Sequence, residues 1–91
     1  MTKKVVVFTS PTCGPCKRLK PELKFQSEHL GFELEVVELA QDGSNRDRFR
    51  DARVSAVPVT VLMEDGKEID RFQGGMTPTA ISVRMSEWGL A

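Results

Sequence analysis

Residues 4–9 (Lys4-Val5-Val6-Val7-Phe8-Thr9) are β-branched and nearly continuous in apolar character, as in a strand covered on both faces of a sheet. Pro11 drives Ser10 toward an extended conformation and ends that strand. The period then changes. Cys16, Leu19, Leu23 and Leu30 recur at helical spacing, which predicts a helix that begins at or just after Cys13, with Phe25 packing at the flank of its buried stripe. Pro15 falls in its first turn, where the missing N–H costs nothing. Pro21 kinks this helix rather than ending it, because the apolar spacing continues beyond it. Gly31 stops it near Leu30.

Phe32-Glu33-Leu34-Glu35-Val36 alternates with period two, and Val37-Glu38-Leu39 continues the strand with a shift in phase. Such a shift marks either a bulge or the point where both faces become buried. Gln41-Asp42-Gly43 reads as a turn. Ser44 is the expected N-cap of a short charged helix over residues 45–53, with Asp47 three residues on. Its apolar face is thin (Phe49, Ala52, Val54), so this is the least secure element. Val59-Thr60-Val61-Leu62-Met63 is a strong strand. Asp65-Gly66 supplies the positive φ of a hairpin turn, and Glu68-Ile69-Asp70-Arg71-Phe72 returns as a charged edge strand. Gly74-Gly75 breaks it. Thr77 caps a last helix with Pro78 at its first position, and Ile81, Met85 and Trp88 share one face. The chain is read as one α/β domain over residues 1–91, in the order β-α-β-α-β-β-α: a four-stranded mixed sheet flanked by three helices.

Composition changes this picture little. Thirteen basic residues balance thirteen acidic ones, which leaves no cationic excess for nucleic-acid binding. No apolar run is long enough to span a bilayer. The N-terminal apolar stretch lacks a cleavage pattern and reads as a buried strand, so the expected address is the cytoplasm. Charge is uneven, however. Lys3, Lys4, Lys17, Arg18, Lys20 and Lys24 are accompanied only by Glu22 over the first twenty-four residues. Such a field favours a nearby thiolate; a solvated helix face accounts for it equally well.

The chemistry is concentrated in Thr12-Cys13-Gly14-Pro15-Cys16-Lys17, which holds both cysteines. Three positions apart in a chain with no other cysteine, they are not a structural scaffold. A bridge between them closes too small a loop to restrict the unfolded chain much. Cys13 stands at a helix N-terminus, where free N–H groups favour an anion and draw a thiol from about 8.5 toward roughly 7. Gly14 leaves room for an incoming disulfide. Cys16 lies one turn on, within the separation that a disulfide spans. Cys13 is therefore the expected exposed nucleophile and Cys16 the resolving thiol. Cys13, Cys16 and His29 also match the first three ligands of a zinc finger. No second histidine follows, and the intervening segment is an amphipathic helix, so no metal is expected.

These residues resemble the thioredoxin superfamily, close in size to a glutaredoxin or a minimal thioredoxin. Cys13-Gly14-Pro15-Cys16-Lys17 is similar to the thioredoxin motif, and Pro21 falls at that family's helix-kinking proline. Val57-Pro58 resembles its cis-proline dipeptide, and Val61 through Gly74 its C-terminal hairpin. Val6-Val7-Phe8-Thr9-Ser10-Pro11-Thr12 is similar to the approach in glutaredoxins. The resemblance implies a dithiol–disulfide oxidoreductase that donates electrons to disulfide-containing protein substrates. Its only cofactor would be the redox-active Cys13–Cys16 pair. It would be recharged by a thioredoxin reductase-like enzyme or by glutathione, and would act as a monomer without nucleic acid or membrane. Pro58 would be cis, with Val57 offering its backbone to substrate and Thr12, Gly14, Pro15, Gly74 and Gly75 lining the same groove. The sequence departs from thioredoxins at Thr12, where they carry tryptophan, and at Val7, where they carry a buried aspartate. It departs from glutaredoxins at Ser10 and at Met76-Thr77. The alternative is a redox-inert peptide-binding module that uses the Val57-Pro58 groove.

Overall fold

The structure is a computed structural model and describes residues 2–91. Its elements are β1 (Lys3–Thr9), α1 (Gly14–Leu30), β2 (Glu33–Glu38), α2 (Arg46–Asp51), β3 (Val59–Glu64), β4 (Lys67–Gln73) and α3 (Pro78–Glu87). The order is the one read from the sequence. The sheet runs β2-β1-β3-β4. β1 and β2 are parallel, whereas the β1/β3 and β3/β4 pairs are antiparallel. β1 is thus central and fully paired, which is why its apolar run is unbroken: Val5, Val7 and Thr9 face one side of the sheet, Val6 and Phe8 the other.

Each face has its own core. Val5, Val7, Leu62 and Phe72 meet Leu19 and Leu23 of α1 and Ile81, Met85 and Trp88 of α3. On the other face Val6, Phe8, Val37, Val59 and Val61 meet Phe49 of α2 and Val54. Cys16, Leu19 and Leu23 of the predicted α1 stripe are buried, Leu30 is half-buried, and Gln26, which was not foreseen, is buried with them. The helix runs on through Pro21, and Gly31 ends it at φ 78°, its N–H donating to the Ser27 carbonyl across 2.8 Å. Phe25 departs from expectation: it is 60% exposed and stacks on the ring of the exposed His29 instead of packing at the flank of the buried stripe. Its position on α1 points away from both neighbouring layers.

Two further expectations are corrected, and one left open between two alternatives is decided. Ser44 is not the N-cap of α2. Its amide (2.9 Å) and hydroxyl (2.6 Å) both donate to the Asp42 carboxylate, which closes a local turn. Asn45, at φ 69°, takes the cap position, and its side-chain amide donates to the Glu38 carbonyl. Helix α2 is shorter than residues 45–53, because Arg53 turns left-handed at φ 57° and Val54 returns its N–H to the Phe49 carbonyl. The phase shift in β2 is not a bulge, since its register with β1 is continuous from Glu33 to Glu38. It marks two apolar faces: Val37 is buried, and Val36 lies half-exposed at the sheet edge. The irregularity is instead in β4, where Leu62 pairs with Asp70 and Met63 with Glu68, so that Ile69 is the extra residue. The Asp65-Gly66 turn takes the positive φ values expected of it (53° and 83°).

Candidate functional site: a dithiol at a helix start

The loop after β1 delivers Cys13 to the head of α1. The Cys13 amide donates to the Ser10 carbonyl across 3.3 Å, which folds Pro11 and Thr12 into a turn. Cys13 keeps an extended conformation (φ −88°, ψ 110°) and acts as the N-cap itself: its Sγ accepts the Cys16 amide across 3.2 Å. Ordinarily Ser, Thr, Asn or Asp fills this role with an oxygen. A sulfur there receives the positive end of the helix through a direct hydrogen bond, and a thiolate gains more from that than a thiol does. Pro15 fits the first turn, where no N–H is needed.

Cys13 and Cys16 are joined in a disulfide with 5.3 Å between their Cα atoms. That separation lies inside the usual disulfide range of roughly 4.4–6.8 Å, so the helix start holds the bridge without displacing the backbone. Accessibility separates the two sulfurs. Cys16 is 1% exposed and Cys13 9%. Cys13 is thus the more accessible cysteine, but it is buried rather than openly exposed as expected. Thr12, Gly14 and Pro15 around it are all exposed.

The other expected residues gather at the same end of the sheet. The Val57–Pro58 peptide bond is cis. Pairing of Phe8 with Val59 brings Pro58 to the end of β1 from which the Cys13 loop departs. The Gly74 amide donates to the Pro58 carbonyl across 2.9 Å, and Gly74 itself sits at φ 88°. A side chain begun at Gly75 would meet the Pro15 ring 3.7 Å away. Pro15, Gly75, Gly74 and Pro58 therefore form a continuous rim. Val57 is half-buried, and Pro58 is buried behind it.

Two clefts open beside this rim. One of about 690 Å³ lies between Pro15, Arg18 and Glu22 of the helix and Gly75, Met76 and Pro78. The other, of about 460 Å³, is bounded by Ser10, Leu39, Arg46, Val54, Ala56 and Val57. Arg18 enters the sequence reading only as part of the basic cluster and Met76 only as a departure from glutaredoxins; neither they nor Ala56 are expected there as groove residues. Arg18 follows the motif directly, but Met76 and Ala56 carry no local signal, since the sheet order alone brings them here. A third hollow, of about 440 Å³, lies over Val6, Phe8, Val61 and Met63 on the α2 side and includes neither cysteine.

The positive field foreseen around the motif is partly neutralised. Lys4 pairs with Glu35, Lys20 with Glu38 and Lys3 with Glu64. Lys17, Arg18 and Lys24 stay exposed on α1. Glu35 also accepts two hydrogen bonds from the Arg48 guanidinium, and Arg48 first, then Lys4, lowers its carboxyl to about 2. His29 lies thirteen residues along α1 from Cys16, about 20 Å of helix, so the three candidate zinc ligands do not converge. Among the described residues no group of three or more His, Cys, Asp or Glu side chains is placed to hold a metal ion. No helix there is long and apolar enough to cross a membrane.

A neighbouring pair of sulfurs, one capping a helix and one beneath it, is built to cycle between dithiol and disulfide. The class that this fold and this pair define is that of thiol–disulfide exchange domains. The family model described as Thioredoxin matches residues 1–87. A thioredoxin of Chlamydia muridarum is 36% identical over 70 residues, which are 77% of this chain and 67% of that protein. Thioredoxin X, chloroplastic, of Arabidopsis thaliana is 32% identical over 75 residues, covering 80% of this chain and 41% of the plant protein. The X-ray structure of Fasciola hepatica thioredoxin superposes with a TM-score of 0.81 at 29% identity, covering 94% of this chain and 80% of that one. The chain belongs to the thioredoxin family. It spans less than half the length of the Arabidopsis relative and two thirds of the Chlamydia one.

Proposed function

We propose that this protein is an electron donor that reduces disulfides in other proteins. The observation that carries the reading is the hydrogen bond from the Cys16 amide to Cys13 Sγ at the head of α1. In the reduced protein the same amide stabilises a Cys13 thiolate. That thiolate attacks one sulfur of a substrate disulfide, and the other substrate sulfur departs with the bonding electrons. Cys16 then attacks Cys13, re-forms the intramolecular bridge and releases the second substrate sulfur. Both substrate sulfurs end as thiols, and the protein's dithiol ends as a disulfide.

Substrate backbone lies along Val57, whose amide and carbonyl precede the cis bond, in the manner of an added strand. Gly74 and Gly75 leave space for it, and Thr12, Gly14 and Pro15 form the opposite wall. The protein works as a monomer in the cytoplasm, where a reducing environment keeps the pair available. A thioredoxin reductase-like enzyme recharges it. Support for that reductant over glutathione comes from the family match and from Met76-Thr77 after the double glycine.

The test follows disulfide turnover with NADPH and either thioredoxin reductase or glutathione plus its reductase. Turnover with the first system supports the full reading. Turnover only with the second keeps the chemistry and overturns the reductant. Absence of turnover in both, with pre-reduced protein also inactive, returns the peptide-binding alternative.

A further inference from the structure

Cys16 must lose a proton to attack Cys13, yet it is 1% exposed. The buried polar side chains among the described residues are Thr9, Gln26 and Thr60. Gln26 donates to Glu22 farther along α1. The hydroxyls of Thr9 and Thr60 are fully buried and have no protein partner. A hydroxyl in that condition costs stability, and each one calls for a reason.

Their position supplies one. Val7 pairs with Thr60, so these two side chains share a face; Thr9 follows Val7 by two residues on the same face. This is the face against which α1 packs. Between parallel β1 and β2, α1 runs back antiparallel to β1, and its stripe descends through Cys16, Leu19 and Leu23. Leu19 and Leu23 cover Val5 and Val7. The first turn, with Cys16, therefore lies over the C-terminal end of β1, which on this face is Thr9. Of the charged groups on the packing elements, Lys17 and Arg18 of α1 are exposed, Lys20 pairs with Glu38 of β2, Asp70 of β4 accepts the Trp88 indole N–H, and Arg84 of α3 lies over the Phe72 and Trp88 rings and pairs with Glu87.

We propose that Thr9 and Thr60 are positioning residues for Cys16, their hydroxyls together binding one water molecule beneath its sulfur. The proposal deepens the reductase reading and rests on it. The water accepts a hydrogen bond from the Cys16 thiol and donates one to the thiolate as it forms. Cys16 sulfur bonds to Cys13 Sγ, and the bond from Cys13 Sγ to the substrate sulfur breaks with its electron pair on the substrate. Cys16 gives up its proton before it attacks, the water's hydrogen bond holding the thiolate, and the departing substrate thiolate takes up a proton from solvent in its place. No carboxylate is required, and the two hydroxyls find their use where the sheet meets the dithiol.

The test is stopped-flow reaction of the reduced 91-residue chain with an aromatic disulfide that releases a coloured thiolate at each step. The first phase reports Cys13 and the second Cys16. Thr9→Val and Thr60→Val keep shape but remove the hydroxyl. Loss of a hydrogen bond to a developing charge slows the second phase roughly tenfold in each variant and moves its pH midpoint upward, while the first phase is unchanged. Thr9→Ser keeps the fast second phase. Valine variants with both phases intact and raised thermal stability would overturn the proposal, as would a serine variant as slow as valine. Absence of the first phase in wild type contradicts the reductase reading itself.

Discussion

The sulfur of Cys13 accepts the backbone N–H of Cys16 across 3.2 Å, so the two cysteines are joined through the helix backbone as well as through their disulfide. This bond makes the two sulfurs unequal in surroundings. Cys13 receives the helix's positive end, and Cys16 contributes the amide while its own side chain turns into the core. Cys16→Ser should accumulate a mixed disulfide between Cys13 and an added protein disulfide, because attack proceeds and resolution does not. Non-reducing electrophoresis and mass spectrometry would detect the adduct; an adduct on Cys16 in Cys13→Ser instead would reverse the assignment.

Gly74 and Gly75 are adjacent but differ in kind. Gly74 holds φ 88° while donating to Pro58, a conformation that costs an L-residue about 1–2 kcal/mol. Gly74→Ala should lose that much stability in urea unfolding. Gly75 has no such constraint and lies against Pro15. Gly75→Val should leave the unfolding midpoint nearly unchanged and raise KM for a protein disulfide.

Helix α2 has six residues and a thin apolar face, yet it is fastened from two sides. Phe49 packs edge-on against Phe8 with 5.1 Å between ring centroids. Arg48 forks onto Glu35 of β2. Phe49→Ala should cost about 3 kcal/mol, the usual figure for a buried aromatic truncation, measured by chemical unfolding.

Glu35 titrates near 2 in the folded chain against an ordinary 4.5, because Arg48 and Lys4 stabilise its anion. A depressed carboxyl adds stability that is complete above its unfolded value and disappears as pH falls toward the folded one. Glu35→Gln should therefore be less stable than wild type at pH 7, by about 0.5–1 kcal/mol after allowance for solvent screening. The difference should shrink between about pH 4.5 and 2. Urea midpoints of both proteins across that range would measure it.

Much of this could be read from the chain before folding, for reasons that differ by element. β1 and α1 declare themselves because each buries a long stretch with a clear period. Helix α1 is marked at both ends, by Pro15 at its start and by Gly31 at its close. The cap of α2 was misread because Ser44 had a rival partner: the Asp42 carboxylate two residues back captures both its amide and its hydroxyl. The bulge at Ile69 did leave a trace that the alternating reading passed over: Ile69 and Phe72 stand three apart, so they fall on opposite faces, Ile69 exposed and Phe72 buried. Cys13, Cys16, Pro58, Gly74 and Gly75 were legible as residue types. That Pro58, Gly74 and Gly75 come to the end of the sheet that carries the dithiol depends on the pairing of β1 with β3 and on the Gly74–Pro58 bond, which no local pattern encodes. Thr9 and Thr60 were hidden within strand patterns that tolerate threonine.

The central claim is that the Cys13–Cys16 pair passes electrons to other proteins' disulfides. The most direct measurement is the loss of an accessible protein disulfide after addition of the pre-reduced chain, with the Cys13–Cys16 bridge quantified by mass spectrometry in the same sample. One substrate disulfide should disappear for each bridge formed, and Cys13→Ser should fall to background. Bridge formation without substrate reduction, or undiminished reduction by Cys13→Ser, would contradict it.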